Sequence, residues 1–219
     1  MKIKNSRLWV AVALAIAGAS MVTLAISDAK EADVQARVAG AKNVTADFLK
    51  QLGDAMMREM KAGGPVQAMK VCRDVAPQIA DDVSLKNGWK VTRVGTRTRN
   101  TMLGLPDAWE QGVLKDFEKR AAQGEKFDSM SYYEVVDEPA GKSLRFMKAI
   151  GVAPQCLACH GSAEQIPETV RAELQTLYPH DRATGYRPGD LRGAVSIRQP
   201  LYDSMVPIVA IGTVSNINE

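Results

Sequence analysis

Beyond its first seven residues the chain has no excess charge of either sign. Lys2, Lys4 and Arg7 account for the whole formal net charge of +3. A formally neutral body lacks the electrostatic footprint of a nucleic-acid binder, so no nucleic-acid partner is expected. Aromatic residues are few, 5% of the chain, and Ala, Val and Met supply an ordinary globular core. There is no internal repeat and no low-complexity segment, which excludes repeat arrays and biased disordered tracts. No strand–helix–strand alternation is visible, which argues against a parallel sheet. Histidine and cysteine are the scarcest reactive residues: two and three in 219.

What is present begins with a leader. The three basic residues precede a run from Leu8 to Ile26 without a charge, and Asp28 is the first acid. This is the layout of an export signal, with Ala17-Gly18-Ala19 as a small-residue cleavage site. The apolar run continues past that site and, at about 1.5 Å per residue, approaches a bilayer core. A cleaved signal and an uncleaved anchor fit these residues equally, and either takes the rest of the protein out of the cytoplasm. The chain is therefore read as a leader, 1–27, and one domain, 28–219, touching membrane only through residues 8–26 if uncleaved.

From Asp28 to Lys61 the apolar positions Val34, Val38, Phe48, Leu52, Met56 and Met60 predict one long amphipathic helix, stopped at Gly63-Gly64-Pro65. Pro65 opens a second helix on which Met69, Cys72, Ala76 and Ile79 form a buried stripe. A strand is predicted from Trp89 to Thr98, and a helix from Pro106 to Gln123 with Trp109, Val113, Leu114 and Phe117 inward. Ser131 to Asp137 and Lys142 to Ile150, joined by Glu138-Pro139-Ala140-Gly141, read as a β-hairpin. A helix from Pro167 carries Val170, Leu174 and Leu177. A strand follows at Leu191 to Gln199, then an apolar stretch from Val206 to Val214. Hairpin-connected strands with helices grouped before them predict an antiparallel α+β domain.

The segment "PQCLACHG", residues 154 to 161, places Cys156 and Cys159 three apart with His160 directly after. Cys-x-x-Cys-His is the attachment sequence of c-type haem. Two thioether bonds need sulfurs about one helical turn apart, and the adjacent histidine is then carried to the iron. Three other readings compete. A thioredoxin-like pair needs a strand–helix context that is absent. A plain disulfide leaves His160 without a role. Zinc held by Cys72, Cys156, Cys159 and His180 also leaves His160 idle, and lacks zinc-like spacing. One covalently attached haem c is the expected cofactor.

Thioether formation consumes Cys156 and Cys159, so Cys72 has no disulfide partner in the chain. It is either a buried small hydrophobe or a ligand. The other options for the sixth iron position are a methionine, His180, water or nothing.

The same cysteine segment, with "VCRDVAPQIA", "WKVTRVGTRTRN…PDAWE" and "YPHDRATGYRPGDLRGAVSI", resembles the single-haem c-type domain family with a PAS-like fold. That family occurs alone in the periplasm and as the sensory part of membrane histidine kinases. The likeness covers about Ala41 to Pro200. It implies a PAS-like antiparallel sheet with flanking helices behind a long N-terminal helix, and iron held by His160 and the Cys72 thiolate. One departure stands out: after Arg99-Asn100 the family continues with proline and a second asparagine, whereas this chain reads Thr101-Met102-Leu103.

Haem brings two propionates. Arg93, Arg97 and Arg99 recur along the predicted strand and are candidates to hold them, since a guanidinium fork suits a carboxylate. The alternative is a solvated strand face. The turn containing Thr184, Gly185, Tyr186, Gly189 and Asp190 either shapes the pocket or is an ordinary turn.

Two functions follow. One is a periplasmic electron carrier serving a separate redox partner protein. The other is a haem-based redox or gas sensor, in which Cys72 leaves the iron on reduction and a separate partner reads the change. With no kinase or coupling helix before Glu219, electron transfer is the leading expectation. Catalysis is not expected, because a filled sixth site blocks peroxide and no distal acid–base pair stands out.

Overall fold

The structure, a computed structural model, describes residues 6–201, with side chains from Lys30 onward. The expected leader, 1–27, and the expected apolar stretch from Val206 lie outside the residues described in that detail. Among the described residues no helix is long and apolar enough to cross a membrane.

Helix α1 runs Ser6–Lys70. Val38, Ala41, Thr45, Phe48, Leu52 and Ala55 are buried along it, three and four apart, the stripe of a helix laid along a core. At Gly63 and Gly64 the backbone leaves helical geometry, and Gly64 takes φ 70°, ψ −163°, a conformation open to glycine. Pro65 starts the next turn with its φ preset and no donor to lose. The expected stop is thus a bend, after which the helix resumes.

The second helix departs from expectation at one point. Val71–Val75 form a π-helical turn before α2, Ala76–Asn87. Met69, Ala76 and Ile79 are buried as expected, but on this turn Val71 is the buried residue, at 1% exposure, and Cys72 is only half-buried. The wider π turn shifts the side-chain register, moving Cys72 off the regular buried stripe. Such turns recur at functional sites.

Gly88, left-handed at φ 67°, ends α2, and strand β1, Lys90–Gly95, follows. It is shorter than expected. A single turn not anticipated from the sequence, α3, Thr101–Gly104, is capped by the Asn100 side chain, which accepts from the Met102 N–H at 3.0 Å. Helix α4, Ala108–Ala122, opens on a reciprocal capping box between Asp107 and Glu110. Val113, Leu114 and Phe117 face inward on it, as the apolar spacing predicts. Strands β2, Ser131–Glu138, and β3, Gly141–Gly151, form the expected hairpin. A 3-10 turn, Pro154–Cys156, leads into the short α5, Leu157–His160. Then come α6, Glu168–Leu177, and β4, Leu191–Pro200.

Among the described residues four strands form one antiparallel sheet in the order β1-β4-β3-β2, so β4 inserts between β1 and β3. Alternation sends Val91, Leu144, Phe146, Val195 and Ile197 toward α1 and α2, and Val94, Met147, Ala149 and Ala194 toward α4. β3 and β4 bury side chains on both faces because both faces are covered, Ser143, Arg145 and Ser196 among them. The domain is α+β, as the sequence pattern predicts.

Candidate functional site

β3 leaves the sheet at an irregularity between Ile150 and Gly151. The next turns carry Cys156, Cys159 and His160 on one short helical stretch. The His160 Nδ1 lies 2.6 Å from the Ala183 carbonyl oxygen. A ring nitrogen meets a carbonyl as a donor, so Nδ1 holds the proton and Nε2 is left bare, the tautomer a metal ligand needs. Burial pushes the His160 pKa down to about 2, and the Arg99 and Arg192 charges add to the effect. The ring is therefore neutral over the physiological range, as ligation requires. Tyr186 stands edge-on to it at 6.2 Å.

A second segment clamps this one through backbone bonds. Val152 N–H donates to Asp190 O at 2.8 Å and Gly189 N–H to Val152 O at 2.9 Å. Tyr186 N–H donates to His160 O at 2.9 Å, and Gly185 N–H to Gly161 O at 2.6 Å. The turn from Thr184 to Asp190 thus cradles the Cys-x-x-Cys-His segment. Gly185 has φ 72°, a conformation that favours glycine.

The three candidate arginines do not share a strand face. β1 ends at Gly95, and beyond it the chain follows the Tyr186 hydroxyl, which accepts from Arg97 N–H at 3.0 Å and lies 2.8 Å from the Thr96 hydroxyl. Only Arg93 sits in β1. Arg97 stacks on Tyr186 at 3.8 Å and donates to Thr184 O at 2.6 Å. Arg99 donates to the Cys159 and Ala183 carbonyls and pairs with Asp181 at 3.0 Å, both side chains under 10% exposed. Asp181 in turn accepts from Ala183 N–H at 2.7 Å, so Arg99 and Asp181 hold both the cysteine helix and the residue that orients His160.

Replacing Arg99 by alanine leaves Asp181 buried without its partner, and we expect a loss of about 3 kcal/mol in urea unfolding. The Arg99→Ala/Asp181→Ala double variant should recover only the part that comes from the unpaired buried carboxylate, because the bonds to Cys159 O, Ala183 O and Ala183 N–H stay lost. A single variant with the parent's midpoint would show that this pair does not hold the site.

Arg192, which the sequence reading passed over, completes the charge pattern. Its pKa is lowered first by burial and further by the nearby Arg99 and Arg93 charges. Gly95 makes room for it: a Cβ there would lie 2.7 Å from the Arg192 Nη1. With Asp181 engaged by Arg99, the positive charge of Arg93 and Arg192 beside His160 suits an anionic group.

Cys72 lies near Cys159 and Tyr178. A charge on it is felt by the Cys159 thiol, whose pKa is raised mainly by burial. It is felt also by Tyr178, whose hydroxyl is pushed up by burial first and by Cys72 second. Cys159 and Tyr178 pack with Met69, Ile166, Val170 and Leu174, so the end of α1 and α6 close this side. Tyr178 and Asp181 were also missed as site residues, although both lie in or beside the "YPHD" stretch. Their roles depend on packing that a single sequence does not display.

The arrangement fits haem c. It offers two thiols and a neutral imidazole with a bare nitrogen on one stretch, a third thiol nearby, and surplus guanidinium for carboxylates. The zinc set is not assembled: His180 is exposed, and among the described residues no three His, Cys, Asp or Glu side chains gather to hold a metal.

With this geometry in place, the comparisons with known proteins are informative. No curated protein sequence matches the chain. The crystal structure of the cyanobacterial haem protein Tll0287 matches with a TM-score of 0.54 and 24% identity, covering 72% of this chain and 92% of that one. At that identity the likeness speaks for the fold. The model of the Tll0287-like family matches residues 22–200, a span that contains Cys72, the arginines and the whole cysteine segment. The chain belongs to the Tll0287-like family.

Proposed function

We propose that this protein binds one haem c covalently through Cys156 and Cys159, with His160 and Cys72 as iron ligands, in a PAS-like domain, and serves periplasmic electron transfer. The observation that carries the reading is the His160 ring. Its Nδ1 is committed to Ala183 O, so Nε2 is presented from the same stretch that bears both thiols. The Tll0287 haem protein, matched over most of its length, supports a haem in this fold.

Bound there, the haem supplies a one-electron iron couple. The chain's own residues do the rest. His160 is oriented by Ala183 and Tyr186. Cys72 would supply the second ligand, a sulfur, to the iron. Arg93 and Arg192 provide positive charge for propionates, while Arg97 and Arg99 hold the cradle. The reading assigns no catalysis, and a separate redox partner protein takes or gives the electron.

A second reading, a redox or gas sensor signalling to a separate partner, is favoured by one observation: Cys72 sits on a π-helical turn. Such a turn is a local irregularity that can relax when its side chain is released.

Protein matured in a host competent for cytochrome c assembly tests the proposal. Its mass should equal the polypeptide plus one haem, retained through acid extraction, in the periplasmic or membrane fraction. A haem-free mass, stoichiometric zinc or a cytosolic holoprotein would overturn it.

A further inference from the structure

The two edges of the sheet differ. At β1 the outer side is covered: Gly104 of α3 sits beside the Arg93 carbonyl oxygen, so that a Cβ on it would lie 3.6 Å away. At β2, among the described residues, no further strand pairs with the sheet. The groups this edge offers follow from the hydrogen bonds of β3. Leu201 N–H donates to Lys142 O at 2.8 Å, and Ala149 N–H to Met130 O at 3.1 Å. The even residues of β3 therefore bond to β4 and the odd ones to β2. Tyr133, Val135 and Asp137 oppose Phe146, Leu144 and Lys142, so their N–H and C=O groups point away from the sheet. Ser131 O, next in that row, accepts from Arg120 at 3.3 Å.

An open edge invites pairing with another chain, and edge strands are ordinarily guarded by lysine, proline or a bulge. β2 has no lysine, no proline and no shift of register against β3. It carries exposed apolar side chains instead, Tyr132, Tyr133 and Val135, at 39%, 39% and 40% exposure. Its acids are engaged within their own copy. Glu134 accepts from Trp109 Nε1 at 2.8 Å, Asp137 faces Lys142 at 3.8 Å, and Glu138 pairs with Arg198 at 3.3 Å.

The strand's own sequence fits this edge. A two-fold axis normal to the sheet keeps each face continuous across the pair, so only residues of one face can oppose each other. With the axis at Val135, Tyr133 meets the second copy's Asp137, Glu134 its Val136 and Tyr132 its Glu138, and no like charges are opposed. An axis at Glu134 would set two carboxylates directly opposite, which is destabilising. An axis at Tyr133 would leave Asp137 beyond the overlap. The axis at Val135 closes the outward groups of Tyr133, Val135 and Asp137 with about six backbone hydrogen bonds. We propose that β2 pairs antiparallel with β2 of a second copy about an axis at Val135, joining the two sheets into one. The inference stands independently of the haem reading.

Sedimentation equilibrium and amide hydrogen exchange of the holoprotein test this together. The protein should dimerise reversibly. The Tyr133, Val135 and Asp137 amides should exchange slowly in the dimer and fast on dilution to monomer. Glu134 and Val136, bonded to β3, should stay protected in both. Val135→Lys sets two ammonium groups opposite each other on the axis and should weaken the dimer at least about tenfold. Because Val135 is exposed, the variant's monomer should unfold like the parent's. Val135→Thr keeps a β-branched, uncharged side chain and should dimerise within about threefold of the parent. A monomer at every concentration, a dimer in which those three amides exchange freely, or a Val135→Lys protein that dimerises like the parent would each overturn the proposal. Protection of the three amides in a monomer would place a different partner on this edge and overturn it as well.

Discussion

Protein carrying Cys156→Ala and Cys159→Ala should leave the same maturation host with no covalent haem at all. Under the proposed attachment the effect is all or none, because both thioether bonds would be lost and no other thiol lies on that stretch. Each single variant keeps one thioether and should retain haem at reduced yield. The loss is not a folding defect. Cys156 packs at the margin of the Val152, Ala183 and Tyr186 cluster, and Cys159 at the margin of the Met69 and Val170 cluster. Trimming either half-buried side chain to alanine costs about 1 kcal/mol. The backbone clamp between Val152 and Asp190 and between His160 and Tyr186 remains. Mass spectrometry after acid extraction, with circular dichroism for the fold, checks this. A folded double variant that still carries acid-stable haem would show that attachment runs elsewhere.

The second large effect concerns Cys72. A thiolate beside ferric iron neutralises charge where solvent is partly excluded, which stabilises both the thiolate and the oxidised metal. Serine at this position cannot supply that anion. Removing one partner of a buried charge pair costs on the order of 3 kcal/mol, which for a one-electron couple is on the order of 100 mV. Cys72→Ser should therefore raise the reduction potential by about that amount. It should also remove the thiolate character of the ferric spectrum and open the iron to added cyanide or carbon monoxide. His180→Ala should do none of these, because His180 is exposed on the turn after α6. If Cys72→Ser keeps the parent's spectrum and potential, Cys72 is a packing residue and the sensor reading loses its switch.

Much of this architecture is legible in the sequence, because local rules and tertiary context agree there. The α1 stripe follows from three-and-four spacing. The α4 helix follows from the spacing of Trp109, Val113, Leu114 and Phe117, and the β2–β3 hairpin from two strand-like runs joined by Glu138-Pro139-Ala140-Gly141. Gly63-Gly64-Pro65 marks a break in helical geometry, although the chain continues as helix beyond it. Where local rules and context disagree, the sequence misleads. Arg93, Arg97 and Arg99 look like one strand face, but the Tyr186 hydroxyl draws the chain out of the sheet after Gly95. α3 is a single turn whose apolar residues are exposed, so no buried periodicity announces it.

The sequence alone determined the α+β class and the chemistry on offer, since the spacing of Cys156, Cys159 and His160 within one turn depends only on backbone geometry. The tertiary structure decided how that chemistry is held. Alternation along a strand cannot say that β4 inserts between β1 and β3. Nor can residue types report the backbone bonds from the Thr184 to Asp190 turn, the Ala183 carbonyl that sets the His160 tautomer, or the half-buried Arg192 near it. The orientation of Cys72 came from the π turn, which inserts its shift of register without leaving any mark on the apolar spacing around it.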